Sequence, residues 1–298
     1  MLGFHENEKL QEEVIEYFNT EVKTYSTGLN PIDKFYKVIK GNCTDVTGYP
    51  YSGKTLFMVE ILFNLSTFSG FKHVLHLPDS GKPAEVIANL IHKHTGKSFN
   101  KKHENAIKEH EIIKAFTWIG EHFRILKYDQ RPSPVEFWEY VAGTDYHTGV
   151  IDSWNYMRHE GKGTEYLAQM LSARNEIAEK SGKHFFTIIH PRNPTEKDYD
   201  KNGVIKPPDV FNLMGGSEWN NNGKNIIVIH KESKESDNYD VYIRKTKPRI
   251  VGKTGFATLQ FDIKKQKFYY MFGGGIRKYA GDEVQNNWFD ESAEDVVF

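Results

Sequence analysis

The chain has 298 residues, and its 39 Lys and Arg against 40 Asp and Glu give a formal net charge of -1. This balance excludes attraction of nucleic acid or membrane by bulk charge, so any such contact requires a local patch. A content of 38% hydrophobic and 14% aromatic residues excludes a disordered chain and suffices for one large core. The lone cysteine, Cys43, excludes an intramolecular disulfide and fits a reducing compartment.

No apolar run approaches the roughly 20 residues of a membrane span. The first 18 residues are acidic and contain no apolar signal core. Both observations predict a cytoplasmic protein without membrane contact.

The first predicted element is an amphipathic helix over about residues 6–18. Leu10, Val14, Ile15 and Phe18 recur at helical spacing among charged residues. A polar stretch follows, so this terminal helix packs either on its own domain or on a neighbouring subunit. We expect residues 1–25 to form a helix and linker that joins subunits.

Strands and helices then alternate. Strands are predicted at 43–47, 72–77, 123–126, 149–152 and 184–189, and helices at 56–65, 84–94, 104–122, 135–142 and 165–180. This alternation indicates an α/β fold with a mostly parallel, twisted sheet that helices cover on both faces. Residues 191–211 form a long proline-containing loop, and strands at 225–230, 240–247, 257–262 and 267–272 add antiparallel edge strands.

The strongest motif is Gly48-Tyr-Pro-Tyr-Ser52-Gly53-Lys54-Thr55, which lies between a predicted strand and a helix. Two glycines separated by four residues and followed by Lys-Thr match the phosphate-binding loop, in which backbone N–H groups and the lysine hold phosphates. The threonine hydroxyl in this pattern binds Mg²⁺. The motif therefore predicts a site for ATP and Mg²⁺.

Two polar residues end later strands of the predicted sheet. Asp152 ends the strand 149–152 and supplies the second group that Mg²⁺ needs. His190 follows the strand 184–189, where it would lie beside the ligand crevice and sense the γ-phosphate.

Four motifs in this order resemble the RecA-like ATPase domain of DnaB-type replicative helicases, in the Twinkle and phage primase-helicase branch. They are Thr47-Gly-Tyr-Pro-Tyr-Ser-Gly-Lys-Thr55, Val150-Ile-Asp-Ser-Trp-Asn155, Ile188-Ile-His-Pro191 and Met214-Gly-Gly-Ser-Glu-Trp219. The likeness runs from about residue 26 to 262, and we place the ATPase domain at 26–280. It implies a ring, expected to be a hexamer, that hydrolyses ATP between subunits and moves 5'-3' on single-stranded DNA in a bacterial or phage-infected cell.

The resemblance also implies roles for individual residues. Lys54 and Thr55 match the phosphate and Mg²⁺ residues, Asp152 the second metal-associated acid, and His190 the γ-phosphate sensor. The family's catalytic glutamate corresponds here to Asp79, which is one methylene shorter, unless Glu85 replaces it. A general base must reach the attacking water, so slow hydrolysis is an open alternative for this shorter side chain.

The family supplies a cation across the subunit boundary. Residues 244–253 carry five bases and no acid. The finger position falls on Lys247, with Arg249 two residues later as the alternative. A solvated edge strand, on which lysines deter aggregation, would give the same composition.

Contacts to DNA are expected on loops. The resemblance implies that Ser217, in Gly215-Gly-Ser217, lies in a turn of small residues near the family's nucleic-acid loop. The other candidates are basic or polar residues in the loops that follow Asp152 and His190: Arg158, Lys162, Arg192, Asn193, Lys197, Lys201 and Lys206.

Residues 281–298 carry six acids and no base. This tail either docks replisome partners or only solubilises the chain. The alternative function is a RecA-like DNA-binding or loader module with weak hydrolysis and no unwinding.

Overall fold

The computed structural model describes residues 6–282, and these contain eight α-helices and twelve strands. The helices are α1 (Asn7–Asn19), α2 (Asn30–Asp33), α3 (Lys54–Ser69), α4 (Pro83–Thr95), α5 (Glu109–His122), α6 (Pro134–Ala142), α7 (Gly163–Ser181) and α8 (Ser217–Asn222). The strands are β1 (Thr24–Tyr25), β2 (Val38–Ile39), β3 (Cys43–Thr47), β4 (His73–His76), β5 (Phe123–Ile125), β6 (Thr148–Asp152), β7 (His184–Ile189), β8 (Asn225–His230), β9 (Asn238–Lys245), β10 (Gly255–Asp262), β11 (Lys267–Phe272) and β12 (Ile276–Tyr279).

Ten strands form one sheet in the order β12-β11-β10-β9-β8-β3-β7-β6-β4-β5. The six strands from β8 to β5 are parallel, and β9 to β12 continue the sheet antiparallel. The predicted fold class is confirmed. Strands β3, β7, β6 and β4 point their carboxyl ends to one edge, so the loops that follow them meet there.

Helices cover both faces of the parallel part. Phe57 of α3 and Ile119 of α5 belong to one apolar cluster, together with Val46 of β3. Trp138 of α6 and Leu171 of α7 belong to a second cluster that packs on β7. Buried continuous apolar strands between two helix layers are the arrangement that parallel sheets require.

The predicted N-terminal helix is present as α1, but its apolar stripe is uncovered. Leu10, Val14, Ile15 and Phe18 are 43%, 58%, 53% and 85% exposed. Its role in joining subunits stays a prediction. No helix within residues 6–282 is long and apolar enough to cross a membrane.

Some boundaries differ from the prediction. Helix α5 begins at Glu109 rather than 104, because its first turn is closed by the Glu111 carboxylate, which accepts a hydrogen bond from Lys108 N at 3.0 Å. Strand β9 ends at Lys245, two residues early, before a segment that contains Pro248. Helices α2 and α8 and strands β1, β2 and β12 were not predicted.

Candidate nucleotide site

The loop between β3 and α3 is packed so closely that two of its positions admit only glycine. A Cβ on Gly48 would lie 2.2 Å from the Ile229 carbonyl oxygen, and one on Gly53 would lie 2.5 Å from the Tyr239 ring. Gly53 also has a φ of +86°. The loop leads directly into the N-terminus of α3, whose free N–H groups favour an anion.

Lys54 and Ser52 lie inside this loop. The Lys54 ammonium donates to the carbonyl oxygens of Gly48 and Tyr49 at 2.9 and 3.1 Å. Burial lowers the pKa of Lys54, and the carboxylates of Asp152 and Asp79 oppose that shift. Ser52 Oγ is buried and has no hydrogen-bond partner within residues 6–282. An unpartnered hydroxyl beside a buried ammonium fits a bound phosphate.

Thr55 and Asp152 come together as predicted for a metal site. Thr55 Oγ1 donates to Asp152 Oδ2 at 2.6 Å, and Ser80 Oγ donates to the same oxygen at 2.8 Å. Asp152 is only 1% exposed. Burial raises the pKa of its carboxyl, and the two hydroxyl donors oppose the shift. Hydroxyl and carboxylate oxygens are the ligands that Mg²⁺ prefers, so these residues fit the ion.

Asp79 faces the site, whereas Glu85 does not. Asp79 Oδ2 lies 3.3 Å from His190 Nε2, and Tyr156 OH donates to Asp79 Oδ1 at 3.3 Å. Glu85 instead accepts from Lys82 N at 3.2 Å, where it closes the first turn of α4. Of the two carboxylates considered as the base, Asp79 is the one that lies beside His190.

Sequence reasoning missed Ser80 and Tyr156. Ser80 directly follows Asp79 in the loop after β4, so its position at the carboxyl edge was a usable signal. Tyr156 lies four residues beyond Asp152 in a short 3₁₀ turn, Trp154–Tyr156. The direction of the Tyr156 side chain depends on this turn, which the sequence pattern did not indicate.

Lys247 and Arg249 lie at the opposite edge of the sheet. Strand β9 runs antiparallel to β8 and ends where β8 begins, with Lys245 opposite Ile226. Asn42, which precedes β3, donates to the Lys247 carbonyl oxygen at 2.8 Å. The length of β3 therefore separates this exposed segment from Gly48, and five strand residues span about 16 Å.

The residues predicted to bind DNA differ in whether their side chains already pair with an acid. Arg192 makes a bidentate pair with Asp198 at 2.8 and 3.1 Å, so its charge is already neutralised within its own loop. Arg158 pairs with Glu136 at 2.8 Å. The remaining candidates are exposed: Asn193, Lys197, Lys201, Lys206, Lys162 and Ser217 at the start of α8. No DNA role is settled by these positions, which stay predictions.

The acidic tail begins at Gly281, and residues 283–298 lie outside the described residues. The predicted docking of replisome partners by this segment, and the domain boundaries at 25 and 280, stay predictions.

Comparison with known proteins agrees with the motifs. No family model matches the chain. A curated relative, the "Twinkle homolog protein, chloroplastic/mitochondrial" of Arabidopsis thaliana, is 26% identical over 257 residues. The match covers 80% of this chain and 35% of the relative, so the chain spans about a third of that relative's length.

Two solved structures share the fold. One is an isolated ATPase domain, which superimposes with a TM-score of 0.67 at 16% identity, covering 87% of this chain and 95% of that chain. The other is a DnaB-like replicative helicase, solved in a study of its interactions with primase. It superimposes with a TM-score of 0.65 at 18% identity, covering 89% of this chain and 67% of that chain. The resemblance inferred from the four motifs is confirmed: the chain is similar in sequence to a Twinkle homologue and has the RecA-like ATPase fold of DnaB-type helicases.

Proposed function

We propose that this chain is the ATP-hydrolysing subunit of a ring-forming replicative DNA helicase that moves on single-stranded DNA. The observation that carries the proposal is the division of the site between the two edges of the sheet. Phosphate loop, metal residues, Asp79 and His190 share one edge, and the basic segment 244–253 lies at the other. A site completed by the next subunit requires this division.

The residues at the carboxyl edge can perform the chemistry of phosphoryl transfer. Lys54 and the N–H groups of the loop hold the phosphates, and Ser52 Oγ offers one further donor. Mg²⁺, held by Thr55 and Asp152, would neutralise charge on the phosphate oxygens. Asp79 orients and deprotonates the attacking water. His190 contacts both this carboxylate and the γ-phosphate.

The neighbouring subunit supplies the remaining cation. Charge on the transferring phosphoryl group is stabilised when a cation enters from the next chain, which Lys247 or Arg249 can do. Arginine offers a planar fork of donors, whereas lysine is a point charge. We therefore favour Arg249, and six such interfaces would close a hexamer.

The ring's channel would receive single-stranded DNA on the loops after β6 and β7. The exposed lysines 162, 197, 201 and 206 contact phosphates, and Ser217 contributes a hydroxyl and the N-terminus of α8. Arg192 braces its loop through Asp198. Helix α1 joins adjacent subunits through its exposed apolar stripe.

One observation favours the alternative of a DNA-binding or loader module with weak hydrolysis. Asp79 is shorter than the glutamate it replaces, and it already contacts His190 and Tyr156. A carboxylate held in this way reaches less far toward a water molecule, so ATP would act mainly as a switch.

The test combines ATPase and strand-separation assays with a Lys54→Ala variant. We expect single-stranded DNA to stimulate hydrolysis, Lys54→Ala to abolish it, and wild type to unwind a forked duplex. Lys114→Ala, on the exposed side of α5, is the matched control and should leave both activities intact. Stimulated hydrolysis without unwinding would favour the loader module, and normal turnover by Lys54→Ala would refute both functions.

A further inference from the structure

A fully buried guanidinium lies beneath the site. Arg174 of α7 is 0% exposed and forms a bidentate pair with Asp45 of β3, at 2.5 and 3.0 Å. It also donates to Thr187 Oγ1 of β7 at 3.0 Å. Its Cζ lies 5.9 Å from the centre of the Trp219 ring of α8. One side chain thus contacts three elements besides its own helix.

Each of these elements carries a part of the proposed machinery. Strand β3 leads into the phosphate loop three residues after Asp45, and β7 ends immediately before His190. Helix α8 begins at Ser217, in the predicted DNA turn. Arg174 therefore lies where the supports of the phosphate loop, the sensor histidine and the DNA turn converge.

Trp219 extends this contact into the DNA turn. Its indole N–H donates to the Met214 carbonyl oxygen at 2.8 Å, and Met214 N donates to the His190 carbonyl oxygen at 3.2 Å. A Cβ on Gly215 would lie 2.5 Å from Leu167 Cδ2 and 3.1 Å from Trp219 Nε1. The turn is thus held in one position by the tryptophan and by the backbone of the sensor.

Stability alone does not account for a buried ion pair at this position. Removing two charges from water costs as much as their attraction returns, and apolar side chains of similar size stabilise a fold equally well. Asp45 shares its face of β3 with Cys43, a buried residue of the second apolar cluster. What a bidentate pair adds over apolar packing is a fixed direction and register.

We propose that Arg174, with Asp45 and Trp219, is a positioning residue that fixes the DNA turn relative to the phosphate loop and thereby permits DNA to stimulate hydrolysis. The proposal rests on the proposed function. Arg174 touches neither nucleotide nor DNA, and it acts only through the elements it joins.

The decisive variant removes the pair without leaving a buried charge. The double variant Asp45→Val/Arg174→Leu should keep its melting temperature within a few degrees of wild type and its basal hydrolysis rate within about twofold, while DNA stimulation falls about tenfold. Arg174→Lys, which keeps the charge but loses the fork, should give an intermediate loss. The matched control is Glu60→Gln/Lys93→Met, which removes a second buried pair, at 2.6 Å, and should leave stimulation unchanged.

A second readout does not depend on activity. Trypsin should cut at Lys197, Lys201 and Lys206 about fivefold faster in Asp45→Val/Arg174→Leu than in wild type, because the loop loses its fixed end. Wild-type stimulation and wild-type cleavage in this variant would overturn the proposal, as would an equal fall of basal and stimulated rates. If wild type itself shows no DNA stimulation, the proposed function fails, and the cleavage rates alone decide whether Arg174 positions the turn.

Discussion

Two inactive variants of this chain should restore one another when they are mixed. Under the proposed function, Lys54→Ala removes a phosphate contact at the carboxyl edge of the sheet, and Lys247→Ala/Arg249→Ala removes both candidate finger cations at the opposite edge. Each variant alone should lack ATPase activity. If a site consists of one chain's phosphate loop and the next chain's finger, a mixed ring contains some complete sites.

The expected magnitude follows from the separation of the two groups. Lys247 is tethered to Asn42 at the start of β3, and the five residues of β3 place it about 16 Å from the phosphate loop. Neither cation can then serve its own chain's nucleotide. With random 1:1 mixing, an interface has the intact loop on one side and the intact finger on the other in about one case in four. Hydrolysis should rise from background to at most about a quarter of the wild-type rate.

The assay measures DNA-stimulated phosphate release after the variants are assembled together, with native mass spectrometry to establish that mixed oligomers form. The control mixes Lys54→Ala with the triple variant Lys54→Ala/Lys247→Ala/Arg249→Ala, in which no interface is complete. Background activity in verified mixed oligomers would refute the trans arrangement. Wild-type turnover by Lys247→Ala/Arg249→Ala alone would show that neither cation acts as the finger.

Three further predictions concern single sites. Asp152→Asn should abolish Mg²⁺-dependent hydrolysis and, because burial raises the pKa of this carboxyl, stabilise the ligand-free protein in urea by about 1 kcal/mol at neutral pH; an unchanged or lower unfolding free energy would contradict this. Burial lowers the pKa of His73 to about 3 and that of His184 to about 4, so the folded state binds fewer protons than the unfolded state between pH 6.5 and 4. These two side chains should therefore lower the free energy of unfolding by at most about 3 kcal/mol per pH unit in that window, and the fall should be shallower in His73→Gln/His184→Gln but unchanged in the exposed control His110→Gln. Asp79→Asn should abolish hydrolysis, whereas Asp79→Glu should raise it if carboxylate length limits the rate; a slower Asp79→Glu would exclude that limit.

The parallel part of the fold could be predicted from the sequence alone because two features identify its strands: a continuous buried run, and a residue of different character after it. Strands β3 and β7 are continuous buried runs, and each is followed by a residue of different character, Gly48 and His190. The observed bounds of β3, β7, β8 and β11 equal the predicted ones. Such strands need no distant partner to be recognised, since burial on both faces already dictates their composition.

Two of the elements that were not predicted, β12 and α8, have only a weak signal in the sequence. Strand β12 follows three glycines and reads as a loop, yet it pairs with β11 through four residue pairs. Helix α8 has only six residues, which is too short for a periodic signal, and its Trp219 is held by Arg174 and Met214. Propensity is weak in both segments, so tertiary packing decides their structure.

Within the candidate site, too, some features could be predicted from the sequence, and others required the structure. That Lys54, Thr55 and Asp152 come together could be predicted from their spacing and from their places at the ends of two strands of one sheet; their roles stay predictions. The choice of Asp79 over Glu85 required the structure, because each acid follows β4 and only the fold turns one toward His190 and the other toward the start of α4. The choice between Lys247 and Arg249 requires a second chain, since each is exposed at an edge that holds no nucleotide of its own. Under the proposed function, a lone subunit binds ATP with its own residues but lacks the cation for the transition state, so turnover should depend on assembly.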